Sequence, residues 1–328
     1  MKRCFNLQAG TIQHAEGDPA AAPIRVYAAP DRAEREELRS TLGLDDYDLD
    51  AALDPEEIPR VEFGAHGAAN IIWKRPKNVS IGAQLRFDVA SVGIFVRPDA
   101  VVLVTAEGEP DFSEREFRGI HSLSDFLLKL LLHTVHHYLG HLKVIKQINA
   151  ELGSKISVSM ENRYYLQMLA LSESLIYYVD GIEANAAVLA KLRSSTHRLE
   201  LTPLQAEMLH DTVLDMQQCA RQAAIYSSVL SGLMDARGAI INNNVNTLLK
   251  NLTLISVIFL PLNLVASIGG MSEFSVWTAG LDWRLSYGLL VIGMALAGWL
   301  GLRIIVQLAS GRGLGWNGLR WPRVLRRR

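Results

Sequence analysis

The chain has 328 residues, 49% of them hydrophobic and 20% charged, with a formal net charge of −1. That length suits two domains, and the near-neutral balance gives no global field for nucleic acid. Cys4 and Cys219 have neither disulfide-framework nor zinc-finger spacing, so both are expected as reduced cytosolic thiols. The N-terminal Met1-Lys2-Arg3-Cys4-Phe5-Asn6-Leu7-Gln8 has basic residues with no apolar run behind them, which does not fit a signal peptide.

In chain order, residues 24–28 read as a short strand, and Pro30-Asp31 opens a charged helix to about Leu42. Residues 44–62 are rich in acid: Asp45, Asp46, Asp48, Asp50, Asp54, Glu56, Glu57 and Glu62. A strand pair follows over residues 60–73, interrupted by Gly64 and Gly67. Further strands read at 84–89, 93–96 and 101–105, the last two joined by the turn Arg97-Pro98-Asp99. From Ser122 the pattern becomes helical. One helix is capped by Ser122-Leu123-Ser124-Asp125 and runs through Ile148, and a second covers about Met160 to Leu192. Thr202-Pro203 then starts a third, Thr as cap and Pro in the first turn. It has no convincing stop before Gly270, although Gly232 and Gly238 weaken it and Pro261 falls inside. A helix of about 65–70 residues spans roughly 100 Å and calls for association along its length.

Two stretches lack charge, one between Lys250 and Glu273, the other between Arg284 and Arg303. Each is long enough for the hydrocarbon core, which takes ~17–25 helical residues. Arg303, Arg312, Arg320, Arg323, Arg326, Arg327 and Arg328 follow the second span, and Lys250 precedes the first. The connecting loop holds Glu273, Asp282 and Arg284. By the positive-inside rule both termini are cytoplasmic, in an inner (plasma) membrane protein whose tail is a topology anchor rather than a nucleic-acid arm. The fold class is therefore an α+β cytosolic domain, a mixed sheet with flanking helices, followed by a long stalk helix and a two-helix membrane hairpin. The expected divisions are a cytosolic α/β domain (1–120), a helical hairpin (121–200), the stalk (201–250) and a first span (251–271). After them come an external loop (272–284), a second span (285–307) and a basic tail (308–328).

The first span carries polar residues that anchoring does not require. Steps of three or four from Asp235, with one of seven, give Asn242, Asn246, Leu249, Thr253, Ser256, Leu260, Asn263 and Ser267, a single stripe alternating amides or hydroxyls with Leu. Packed around an axis, several copies of it would line a narrow hydrated pore with apolar constrictions. Such groups can bond the first-shell water of a cation without stripping it, which suits Mg²⁺. Two other roles stay open. Ser and Thr in membrane helices often bond their own backbone, and Asn can join helices. Asn263, deep in the span, favours a functional role.

The stretch from Asn243 to Ser272, NNVNTLLKNLTLISVIFLPLNLVASIGGMS, resembles the CorA-type metal-ion transporter family, also called the two-TM-GxN family. Phe259-Leu260-Pro261-Leu262 sits at that family's spacing from the loop motif, and the coarser layout of the whole chain is similar. The resemblance implies a homopentamer in the lipid bilayer whose first membrane helices line the pore and whose loops select hydrated divalent cations. Gly270, Met271 and Ser272 would form the outer mouth. The family's loop asparagine is Ser272 here, and its preceding aromatic is Gly269. A hydroxyl holds a hydration shell more loosely than an amide, which bears on selectivity rather than on the fold. Glu273 would add a ring of carboxylates, unless it is only a solvated loop acid. The resemblance also places Asp211 as a regulatory ligand and Asp235 as an inner-mouth acid. Mg²⁺ would bridge subunits there, and the run from Asp45 to Glu57 would offer opposing ligands unless it is only a solvated face.

His133, His137 and His141 recur at i, i+4, the spacing at which imidazoles share a transition metal, and His136 lies among them. The competing reading is packing or solvent exposure, and His210 beside Asp211 is a weaker addition. No nucleotide loop or nucleophile arrangement marks an enzyme, so transport would draw on the ion's own gradient. The sequence thus points to a divalent-cation channel for Mg²⁺, with no prosthetic group and Mg²⁺ as both cargo and regulator. The alternatives are a Zn²⁺ or other transition-metal transporter, with or without proton coupling, and a membrane-tethered scaffold that does not conduct.

Overall fold

The strands at 89–96 and 101–105 are apolar along nearly their whole length because both faces of their sheet are covered. In the computed structural model, which describes all residues except 1, 9, 16–20, 78–79, 82–84, 109–110, 157–161 and 310–328, strands β1 (Lys2–Gln8), β2 (Thr11–His14) and β3 (Ile24–Ala28) precede helices α1 (Arg32–Leu42) and α2 (Asp46–Leu53). Strands β4 (Arg60–Phe63), β5 (Ala69–Pro76), β6 (Ser80–Ile81), β7 (Leu85–Arg86), β8 (Val89–Val96) and β9 (Val101–Thr105) follow. Seven strands form one sheet in the order β2-β1-β3-β9-β8-β5-β4. Among the described residues of this sheet, only the β3–β9 pair is parallel. Successive side chains alternate faces. Ile24, Val26, Ile71, Trp73, Ile94, Val101 and Leu103 pack on one core. Tyr27, Ile72, Phe95, Val102 and Val104 pack on the other with Leu38, Leu49 and Ala52 from α1 and α2. Gly93 is required by that second layer, since a Cβ there would lie 2.6 Å from the Ala52 Cβ and 2.8 Å from the Phe95 ring.

Helices α3 (Leu123–Ile156), α4 (Asn162–Ser194) and α5 (Pro203–Gly269) follow a short 3₁₀ turn over Arg115–Phe117. The starts of α3 and α5 are set by reciprocal caps. Ser122 Oγ accepts from the Asp125 amide at 3.0 Å while Asp125 Oδ2 accepts from that of Ser122 at 3.1 Å. Thr202 and Gln205 do the same at 3.3 and 2.9 Å. Tyr138, Leu142, Tyr178, Ile182, Leu189, Val213 and Met216 close the core over the sheet. A polar pair sits within it: Asn185 is fully buried, accepts from the Lys74 amide at 3.0 Å and donates to the Lys74 carbonyl at 2.7 Å. β4 pairs with β5 only from Ala69 to Ile72, so Asn185 stands in for a strand neighbour beyond that point.

The chain divides into two compact units, Met1–Arg237 and Gly238–Arg328. The second holds the end of α5, a short helix α6 (Ser272–Trp277) and α7 (Trp283–Ala309). Here α7 approaches α5 closely: a Cβ on Gly269 would lie 2.5 Å from Leu290 Cδ2, and one on Gly298 3.4 Å from Leu262 Cδ1. Tyr287 Oη donates to the Gly269 carbonyl at 3.3 Å.

Several expectations are corrected. The hairpin β1–β2 is not evident in the sequence reading, and the acidic run contains helix α2. Pro30 precedes the helix rather than entering it, because Asp31 is the N-cap of α1 and bonds the Glu34 amide at 2.8 Å. The strand expected over 84–89 reduces to Leu85–Arg86, with Gln84 outside the described residues. Part of the expected external loop, Ser272–Trp277, is helical. The basic residues from Arg312 onward lie outside the described residues.

Candidate ion pathway and metal-binding residues

Among the described residues two helices are long and apolar enough to cross a membrane, α5 and the Trp283–Arg303 part of α7, and almost nothing in either apolar stretch is buried. Within the second unit, the residues of α5 that are partly covered are Asn244, Leu254, Ile258 and Leu262, with Gly269 buried. Opposite them, Ser286 of α7 is buried and Leu290, Met294 and Gly298 are partly covered. At 100° per residue the covered face of α5 is centred roughly 180° from the stripe of Asn242, Asn246, Leu249, Thr253, Ser256, Leu260, Asn263 and Ser267. All eight stripe residues are exposed in the single chain. The polar face is thus turned away from α7.

Two stripe hydroxyls are committed to the backbone. Thr253 Oγ1 donates to the Leu249 carbonyl at 2.8 Å and Ser256 Oγ to the Leu252 carbonyl at 3.0 Å. That backbone bonding leaves only lone pairs facing outward. An array of acceptors suits the outward-pointing hydrogens of a hydrated cation's water shell. Pro261 lies inside α5 without ending it. At the helix end, Gly270 and Met271 form the turn, Met271 being the N-cap of α6. Ser272 and Glu273 open α6, and the Ser272 hydroxyl lies 3.4 Å from Glu273 Oε2.

Asp211 and Asp235 are exposed on α5. Neither belongs to a metal-ligating group of three among the described residues of one chain. His210 accepts from Arg193 Nη1 at 3.1 Å. The acids between Asp45 and Glu57 are engaged locally: Asp45 caps α2 through the Asp48 amide at 2.8 Å, Asp48 accepts from Asn70 at 2.9 Å, and Asp50 pairs with Arg35 at 3.1 Å. Asp46 pairs with Arg39, and Glu57 with Arg60.

The histidines of α3 part company. His141 Nδ1 lies 2.6 Å from the Tyr178 hydroxyl, and burial, with His137 adding to it, lowers its pKa to about 4. Burial likewise pushes His137 down, helped by His133 and Arg75. His133 instead meets carboxylates: its Nδ1 lies 2.9 Å from Glu116 Oε2 and 3.4 Å from Glu114 Oε2. His136 Nδ1 lies 2.6 Å from Glu116 Oε1. Burial raises the Glu116 carboxyl, but the hydrogen bonds from His136 and His133 outweigh it and hold the group below its usual range. The spacing of the imidazoles gives no sign of Glu114 and Glu116, which lie 17–20 residues away and are brought over α3 by the 3₁₀ turn.

Over residues 26–306 the sequence matches the family of CorA-like Mg²⁺ transporter proteins. The chain belongs to that family. It is similar to the cobalt/magnesium transport protein CorA of Methanocaldococcus jannaschii, at 24% identity over 257 residues, 74% of this chain and 77% of that protein. The complete structure of the CorA magnesium transporter from that organism superimposes with a TM-score of 0.72 at 20% identity, covering 96% of this chain and 98% of the other. The full-length CmaX protein gives a TM-score of 0.71 at 16% identity, covering 93% and 97%. The ZntB cytoplasmic domain from Vibrio parahaemolyticus gives 0.55 at 12% identity, covering 74% and 98%. The mixed sheet, the long helix and the C-terminal apolar pair are thus the CorA architecture, and by family this chain is a divalent-cation transporter.

Proposed function

We propose that the protein is a homopentameric channel for Mg²⁺ influx, with the α5 stripe from Asn242 to Ser267 lining the pathway. The observation that carries this reading is the orientation of the stripe. It faces away from α7, its own hairpin partner, where a lipid anchor would expose only apolar groups. Asn263, Ser256, Asn246 and Asn242 would hold the hydration shell, and Leu260 and Leu249 would be the constrictions. Gly270, Met271 and Ser272 would shape the outer mouth, with Glu273 concentrating cations. Both termini would be cytoplasmic in the inner membrane. Entry needs no prosthetic group: at ~2.3 kcal/mol per charge per 100 mV, a divalent ion gains about 4.6 kcal/mol.

Exposed Asp211 and Asp235 would take up Mg²⁺ between neighbouring subunits. Facing carboxylates repel until a cation neutralises them, so such a contact senses internal Mg²⁺ and would close the pore when it is plentiful.

The test is flux into proteoliposomes containing the full-length protein and an entrapped Mg²⁺ dye, with and without an inside-negative potential. Potential-driven Mg²⁺ entry is expected. Zn²⁺ entry without Mg²⁺ entry would transfer the reading to transition metals, and silence for both would leave a scaffold that does not conduct.

A further inference from the structure

We infer that Glu114, Glu116 and His133 form a binding site for a borderline transition-metal ion, Zn²⁺ or Co²⁺ in character, within the cytosolic unit of each chain. Among the described residues these three bring one ligand atom each within 4.8 Å of one another. A tetrahedral zinc ion with bonds of about 2.0–2.2 Å sets its ligand atoms about 3.4 Å apart. His133 Nδ1 already stands 3.4 Å from Glu114 Oε2, the tetrahedral spacing, and 2.9 Å from Glu116 Oε2, about half an ångström inside it, while all three ligand atoms lie within 4.8 Å of one another.

The donor chemistry selects the metal class. One imidazole with two carboxylates suits Zn²⁺ and its neighbours, whereas Mg²⁺ prefers an all-oxygen shell that keeps its waters. Two carboxylates also neutralise a divalent charge. His136 contacts the other Glu116 oxygen at 2.6 Å and holds that carboxylate in place from outside. The cluster borders a cavity of about 670 Å³ that also contains Arg75 and Lys77. Those cations are held elsewhere. Arg75 donates to the Thr105 hydroxyl at 3.2 Å and the Gly108 carbonyl at 2.6 Å, and Lys77 pairs with Glu107 at 2.7 Å. The His133 side chain is 19% exposed and that of Glu114 52%, so the site has a shielded base and an open rim through which an ion enters. It belongs to the first unit and the stripe to the second, and it does not depend on what the pore conducts.

The test is a Co²⁺ titration of the purified full-length protein in detergent with excess Mg²⁺ present, read as visible absorption, which is intense for low-symmetry four-coordinate Co²⁺ and weak for the octahedral ion. One Co²⁺ per chain with the intense band, displaced by one equivalent of Zn²⁺, is expected for the unaltered protein. His133→Ala should lose the band. Glu114→Gln, at the exposed rim, should keep the fold and weaken Co²⁺ binding at least tenfold. An intense band absent from the unaltered protein, or unchanged in both variants, would overturn the assignment.

Discussion

In the first half of α5 the apolar residues Leu209, Val213, Met216, Cys219, Ala223 and Leu230 recur every three, four or seven positions and are all buried. In the second half Leu248, Leu252, Phe259 and Leu260 are 59–72% exposed in the same continuous helix. The first half is an ordinary amphipathic helix, its apolar face turned inward to a protein core. The second is apolar nearly all round, and its minority face is the polar one. A single helix therefore follows two solvents, and the minority face changes character between them: an apolar stripe against a polar surface in the first half, a polar stripe against an apolar surface in the second.

The same substitution made in the two units should sharpen that contrast. Asn263→Leu puts an apolar side chain on the exposed stripe of a membrane helix, where it packs on nothing within the chain, so it should leave assembly and thermal stability intact. It should cut Mg²⁺ flux at least roughly tenfold, the effect of a barrier raised by about 1.4 kcal/mol, and liposome flux measures it. Asn185→Leu strands the Lys74 amide and carbonyl in the core of the first unit. It should cost about 2–4 kcal/mol of stability, read as a lower denaturation midpoint of the first unit. Were Asn263→Leu the destabilising change and Asn185→Leu the silent one, the contrast would fail.

A smaller effect concerns pH. Folded His141 stays neutral down to about 4, while the unfolded chain takes up the proton near 6.5. Between those values the unfolded state binds more protons, so this residue's contribution is complete above 6.5 and is lost as pH falls through 4. His141→Gln should make the thermal midpoint fall less steeply across that window than it does in the unaltered protein. Superimposable pH profiles would remove His141 from the account.

The sequence made some elements plain and concealed others for physical reasons. Thr202-Pro203 announces the start of α5 because a cap is a local event, and Val101–Thr105 reads as a strand because an apolar, β-branched run follows a turn. Lys2–Gln8 is hidden because its seven residues mix charge, amide and apolar groups on a strand whose pairing with β3 supplies the order. Asp46–Leu53 is hidden because acids that cap a helix and pair with Arg35 and Arg39 look like a solvated loop. The polar stripe itself was legible from helical spacing. Its orientation away from α7 was not, because that depends on Gly269 and Gly298 admitting Leu290 and Leu262. Likewise His133 was legible as a metal donor, but its partners Glu114 and Glu116 arrive only through the folding of the preceding turn.

The central claim is that the stripe faces water and the opposite face of α5 does not. Thiol accessibility tests it most directly, with single cysteines introduced into a Cys4→Ser, Cys219→Ala background and reconstituted in liposomes. A water-soluble thiol reagent should modify Ser256→Cys and Leu260→Cys much faster than Leu254→Cys and Ile258→Cys, which face α7. Equal rates on the two faces, or faster reaction at positions 254 and 258, would contradict the account.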